Sequence, residues 1–223
     1  MANRPVFVVS LDNRYCIREN TEFQYFSGFS DKQMQRSINS LHKAYALKHP
    51  HDKILEISTK SENALGVKLS AFNITIKINS GKEFSVESIF QSSKVFEKGG
   101  PYKDLLNVSS REAKKDVRLK NSGNVIAFHI NNKTFSIEPK TYFYNWLYIN
   151  ALNLHTDFAM QILEYNAFTD IAFNPKKSIN CQAEAAAIYV SLYQQDLLKE
   201  ALKNEQTFLD IVYPAYKCQN ENN

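Results

Sequence analysis

Cysteine is scarce in this chain of 223 residues and forms no pattern. Cys16, Cys181 and Cys218 are odd in number, widely spaced, and make neither a C-x-x-C pair nor a zinc spacing with the five histidines. No disulfide framework and no metal site are therefore expected, and the thiols read as reduced ones in the cytoplasm. Glycine and proline are few, six of each, so no stretch has the composition of a flexible linker, and no internal repeat is visible. A strong excess of one charge is missing as well. Lysine and arginine total 27 against 23 acids, a net charge of +4, which excludes a histone-like polycation and still allows a local basic face. No apolar run approaches the ~20 residues that span a bilayer. The N-terminal MANRPVFVVSLDNRYC holds an apolar stretch too brief for a secretion signal. A cytoplasmic protein without a membrane partner is the expectation.

What is present is core-forming material: 43% apolar residues and 13% aromatic ones, enough for one large domain. Residues 6–11 (VFVVSL) and 54–59 (ILEIST) predict strands. Residues 69–78 alternate, with Phe72, Ile74, Ile76 and Ile78 on one face and Asn79-Ser80-Gly81 as a turn. Residues 124–137 predict a hairpin around Asn131-Asn132. Asp31 is placed to cap a helix in which Met34, Ile38, Leu41 and Tyr45 recur at helical spacing. A second helix is expected over 85–97, starting at Ser85 and burying Val86, Ile89 and Phe90. Thr141 would cap a third, with Phe143, Trp146, Leu147, Ala151 and Leu154 on one side, and the Ala- and Leu-rich run Gln182 to Lys203 predicts a fourth. The last residues, QNENN, read as a frayed end. Strands and helices do not alternate regularly, so the expected class is α+β: a single helix-rich domain around a small, mainly antiparallel sheet.

The most informative segment is VESIFQSSKVF, residues 86–96. On a helix, Glu87, Gln91 and Lys94 fall at i, i+4 and i+7 and make one polar stripe, which on an anonymous helix is most often a solvated face. A second segment lies just upstream, LGVKLSAFN at residues 65–73. Its Leu69-Ser70-Ala71-Phe72-Asn73 is similar to the LSNF-type signature of the NADAR (YbiA-like) family, and VESIFQSSKVF resembles that family's VEHYFQAQKF-type helix after a short hairpin. The two motifs stand in the right order and spacing. Further on, VSSREAKKDVR (108–118) resembles the family's basic stretch, Trp146 in YNWLYINAL its helix-opening tryptophan, and Asp170 with KKSINCQAEAAA (176–187) its closing segments, more loosely. The resemblance covers roughly residues 55–195, with 1–54 an N-terminal extension and 196–223 a C-terminal helical tail. RPVF and SIFQSSKVFEKGGPY look like the branch paired with DarT-type DNA ADP-ribosyltransferase toxins.

The resemblance implies a NADAR fold and hydrolysis of the N-glycosidic bond between ADP-ribose and the exocyclic amine of guanine in DNA. The partners would be ADP-ribosylated DNA with a single-stranded or flipped guanine, and a cognate DarT-type toxin; no cofactor is implied. Guanine leaves poorly unless protonated, which makes Glu87, with apolar Val86, Ile89 and Phe90 around it, the candidate general acid. The same carboxylate would later activate water. Lys60, just after a predicted strand, is a candidate nucleophile for the anomeric carbon, provided its amine is desolvated or set beside another cation such as Lys94. Its bland reading is a solvated loop lysine. Trp146 would stack on base or ribose, although an apolar helical stripe is also where a core tryptophan belongs. Phe72, Asn73, Gln91, Lys94, Asp170, Ser178 and Asn180 complete the expected substrate-binding set.

Two basic groupings could track a DNA backbone: Arg111, Lys114, Lys115, Arg118 and Lys120, and Lys32, Arg36, His42, Lys43, Lys48 and His49. Charged helix faces are usually just solvated. Two other readings stay open: an N-glycosidase of riboflavin-pathway intermediates, and a non-catalytic antitoxin or ADP-ribose-binding module.

Overall fold

The apolar VFVV run forms the centre of the main sheet. In this computed structural model, which describes residues 1–28, 30–78, 81–176 and 178–216, strand β1 (Ala2–Val9) pairs antiparallel with β2 (Cys16–Phe23), Ala2 opposite Phe23 and Val9 opposite Cys16. Asn79, Ser80, Lys177, Cys218 and the QNENN end lie outside the described residues. Helix α1 (Asp31–Ala46) follows. Its cap is Ser30, whose side chain accepts from the Gln33 N–H, not Asp31, which is the first helical residue. Ile38, Leu41 and Tyr45 are buried as their spacing predicts. Strand β3 (Ile54–Glu56) stops short of residue 59, because the chain turns at Ser58, whose carbonyl accepts from the Ser61 N–H.

The alternating segment 69–78 is not one strand. Asn63 accepts from the Leu65 N–H and starts helix α2 (Ala64–Lys68), residues 70–74 form a turn, and only β4 (Thr75–Lys77) is extended, paired with β5 (Glu83–Ser85). Capping at Asn63 together with the long-range tie from the Ala71 N–H to the Gln182 side chain overrides the alternation of Phe72 and Ile74 with Ile76 and Ile78. Helix α3 (Val86–Ser92) begins after Ser85 as expected but ends early, and Lys94–Phe96 is strand β6. The reason lies in two serines: the Ser92 and Ser93 hydroxyls donate back to the Ile89 and Phe90 carbonyls. A 3-10 turn (Lys103–Asn107), α4 (Ser110–Lys115) and α5 (Arg118–Asn121) lead to the expected hairpin, β7 (Val125–Ile130) and β8 (Lys133–Phe135), with Asn131 and Asn132 at φ 49 and 61.

Helix α6 (Tyr142–Asn153) is buried on nearly every side rather than along one stripe, and Leu154 beyond it is exposed. Thr141 makes no side-chain cap; its hydroxyl meets that of Tyr213. Then come α7 (Thr156–Ile162), β9 (Ala167–Thr169) and α8 (Gln182–Gln194). The long helix expected to Lys203 breaks where Asp196 takes φ 56 and the Leu197 N–H closes on the Leu192 carbonyl, a left-handed helix stop. Short helices α9 (Leu198–Ala201) and α10 (Glu205–Val212) follow.

Among the described residues the strands make three small sheets: β2-β1-β9-β3, β4-β5 and β6-β7-β8. Pairing is mainly antiparallel, with β3 and β9 parallel. The architecture is mixed α+β. Period-two alternation splits the core between the faces of the main sheet. Val6 and Ala167 face α1 with Ile38, Leu41 and Tyr45, whereas Phe7 and Phe168 join α6 and α8 in the larger core. Ala183, Ala185, Ala186 and Ala187 let α8 lie close. Gly66 on α2 is equally constrained: a Cβ there would stand 2.0 Å from the Glu56 carbonyl oxygen. No helix among the described residues is long and apolar enough to cross a membrane.

Candidate active site

All seven residues of α3 are buried, Glu87 and Gln91 included, so the polar stripe read from the sequence is not a solvated face. Buried polar side chains need partners, and these have one another. Gln91 donates Nε2–H to Glu87 Oε1 (2.8 Å) and accepts from Lys94 Nζ through its own oxygen (2.8 Å). Lys94 reaches back from the start of β6 to do so, and its ammonium lies 4.6 Å from the Phe90 ring centre. A second cation completes the group. Lys114, on α4, places Nζ 3.5 Å from Glu87 Oε1 and 4.9 Å from the Phe72 ring centre. Burial pushes the Lys94 amine down to about 8; Glu87 opposes that shift and Lys114 adds to it.

These groups line one wall of a cleft of about 700 Å³, within the usual range for a small-molecule site. Phe72, Tyr144 and Phe173 supply aromatic surface, and Asp170, Ser178 and Asn180 join the lining from the segment between β9 and α8. Asp170 is fixed by three N–H donors: Ala172 (3.0 Å) and Phe173 (3.2 Å) on Oδ1, and Gln182 Nε2 (3.0 Å) on Oδ2. Gln182 also donates to the Ile57 carbonyl (2.7 Å) and accepts from the Ala71 N–H (2.6 Å). It thereby ties the start of α8 to β3 and to the turn at 70–74, while the Glu87 N–H donates to the Ala71 carbonyl (2.8 Å). The two sequence motifs are physically joined through Ala71.

The cleft brings together Phe72, Glu87, Gln91, Lys94, Asp170, Ser178 and Asn180. Three candidates lie elsewhere. Lys60 is ion-paired with Asp31, and its neighbours Ser58 and Thr59 line the cleft while it does not. Asn73 turns its amide to the Val67 carbonyl (2.7 Å) and closes the turn. Trp146 lines a separate cavity of about 570 Å³ with Ile89, Ser92 and Ser93, on the other side of α3. Its indole packs on Phe135, and its buried Nε1 has no hydrogen-bond partner among the described residues.

Of the basic residues expected at DNA, Lys114 belongs to the cleft, Arg111 and Lys115 are exposed, and Arg118 is spent on Asp104 and Asp116. The second basic grouping is not six free charges: His42 points inward to Thr169, His49 pairs with Glu19, and Arg36 covers the Phe26 ring. Sequence reading missed Gln182 and Tyr144 as cleft residues, since nothing in their spacing distinguishes them from helix filler. Among the described residues no cluster of His, Cys, Asp and Glu could hold a metal ion.

The arrangement offers a buried carboxylate, a partly neutral amine and a second cation in one connected group, with a tethered aspartate in the same cleft. The family whose model matches this chain is described as NADAR-DarT1, DarT1-associated NADAR antitoxin, and the match runs over residues 2–222. No curated protein matches.

Proposed function

The chain belongs to the family of DarT1-associated NADAR antitoxins, and from that premise we propose that it hydrolyses the N-glycosidic bond joining ADP-ribose to guanine in DNA. One observation carries the reading: Glu87, Gln91, Lys94 and Lys114 form a connected acid, amide and amine group on the wall of a cleft large enough for a nucleotide. Such a bond breaks when the leaving base receives a proton and the anomeric carbon is captured. Glu87 takes the proton that Lys94 sheds as it attacks and passes it to the departing guanine amine. The neutral Lys94 amine attacks the anomeric carbon, the ribose ring opens to an imine, and water then releases ADP-ribose and restores the lysine. The nucleophile's part, assigned to Lys60 from its sequence position, passes to Lys94, because Lys94 is the desolvated amine that faces the cleft. Lys114 neutralises diphosphate charge at the rim, and Phe72 offers a face on which a base stacks.

The deciding test is incubation with pre-modified, toxin-free DNA. ADP-ribose should be released from guanine adducts, and thymine adducts should persist. A steric antitoxin would leave the guanine adduct untouched and still protect cells as Glu87→Gln. A riboflavin-pathway glycosidase would consume the free metabolite and ignore the DNA.

A further inference from the structure

Behind the cleft sits a third carboxylate that the chemistry above does not use. Glu56, the last residue of β3, is 2% exposed and is not part of the cleft lining. Its Oε2 accepts from the Thr169 hydroxyl (2.6 Å) and its Oε1 from the Ile171 N–H (2.9 Å). These are the residues on either side of Asp170, so one carboxylate brackets the backbone that delivers Asp170 to the cleft. His42 Nε2 stands 2.8 Å from Thr169 Oγ1. With the threonine proton given to Glu56, His42 is the donor in that contact. Burial depresses His42 to about 4 and keeps the imidazole neutral.

Two buried carboxyl groups thus share one strand exit. The ionisable groups facing Asp170 are Lys114 from α4, Tyr144 and Tyr148 from α6, and Cys181 ahead of α8. Burial holds both phenols and the thiol in their protonated forms, which leaves Lys114 as the facing cation. Desolvation, and for Asp170 also the nearby Glu56, push both carboxyls above the ordinary range. Such a pair releases its protons in two steps that belong to the pair.

We propose that Glu56 is the positioning partner of Asp170: it fixes the turn that aims Asp170 into the cleft and retains one proton on the pair, so that Asp170 meets its ligand as a hydrogen-bond donor. The benefit rests on the reading of the cleft as an ADP-ribose site, because a bare carboxylate there would repel a diphosphate.

Glu56→Gln keeps an acceptor for Ile171 and a partner for Thr169 while removing the charge. With carbon-13-labelled carboxyls, and Asp170→Asn to assign the resonance, the Asp170 midpoint should fall by roughly one pH unit or more in Glu56→Gln. ADP-ribose binding by calorimetry should weaken roughly three- to tenfold at pH 6.5 and recover at pH 5, following the protonated fraction. An unmoved Asp170 midpoint, or an equal loss at both pH values as a merely structural role predicts, overturns the proposal. Should Glu56→Gln fail to fold, wild type decides: the Asp170 midpoint must lie above that of Glu56 and ADP-ribose affinity must fall as the pH rises through it, and an affinity indifferent to that titration is equally fatal. Wild type that does not bind ADP-ribose, with the Asp170 midpoint still falling in Glu56→Gln, would sink the reading of the cleft and leave the acid pair standing.

Discussion

Lys94 gives the reading its most exacting pH test. An amine at about 8 is neutral in roughly one molecule in ten at pH 7, whereas an ordinary lysine near ~10.4 is neutral in fewer than one in a thousand. Burial therefore supplies about two orders of magnitude in reactive amine. Single-turnover release of ADP-ribose from adducted DNA, at saturating enzyme, should rise about tenfold per pH unit up to pH ~7 and level off above ~8. Lys114→Met removes a cation that disfavours the Lys94 ammonium, and should move the levelling point upward. Borohydride added during turnover should fix the sugar to the peptide containing Lys94, and Lys94→Arg, which keeps charge without forming an imine, should be inactive. Lys60→Met should release ADP-ribose nearly as wild type does. The reasoning collapses if the adduct is trapped on Lys60 or Lys114, or if the rate still climbs tenfold per unit beyond pH 9.

Glu87→Gln preserves the contact with Gln91 but cannot pass a proton, and should lower the cleavage rate about 10²–10⁴-fold with ADP-ribose affinity nearly unchanged by calorimetry. Near-normal turnover would remove Glu87 from the mechanism. Trp146→Ala should cost roughly 3 kcal/mol in chemical denaturation and leave ADP-ribose affinity of the folded protein intact, since Trp146 lies across α3 from the cleft; a selective loss of affinity would return it to the substrate. Gly66→Ala places a Cβ 2.0 Å from the Glu56 carbonyl oxygen and should destabilise by about 2 kcal/mol or more; an unchanged melting temperature would mean that α2 is free to slide.

Legibility in the sequence followed the range of the interaction that decides each element. The start of α3, the Asn131-Asn132 hairpin and the buried face of α1 rest on neighbours within a few residues, and spacing alone predicts them. The end of α3 does not, because Ser92 and Ser93 stop it through hydroxyls that a periodicity count ignores. The alternation at 69–78 misleads because Gln182, more than a hundred residues away, takes the Ala71 N–H and holds that stretch as a turn. The candidate site divides the same way. Glu87, Gln91 and Lys94 were readable as a unit from one motif. The displacement of Lys60 and the separation of Trp146 depend on Asp31 and on which side of α3 each helix lands, and neither is visible in one dimension. Glu56 was hidden by type: a glutamate in ILEIST reads as the solvent side of a strand, and its partners Thr169 and Ile171 arrive from the end of β9 and the turn after it.

Helix α3 is a partition with a cavity on either side. Ile89 and Ser92 face the Trp146 cavity, and Glu87, Phe90 and Gln91 face the cleft. A wall one helix thick cannot be redecorated on one side in private. A bulkier side chain facing the tryptophan would push the backbone that holds the carboxylate, and a change at the carboxylate would be felt by the tryptophan. Such a segment has few silent positions, so inherited variation there is filtered twice. A short stretch under that double filter will drift slowly and stay recognisable when the surrounding helices have changed beyond comparison.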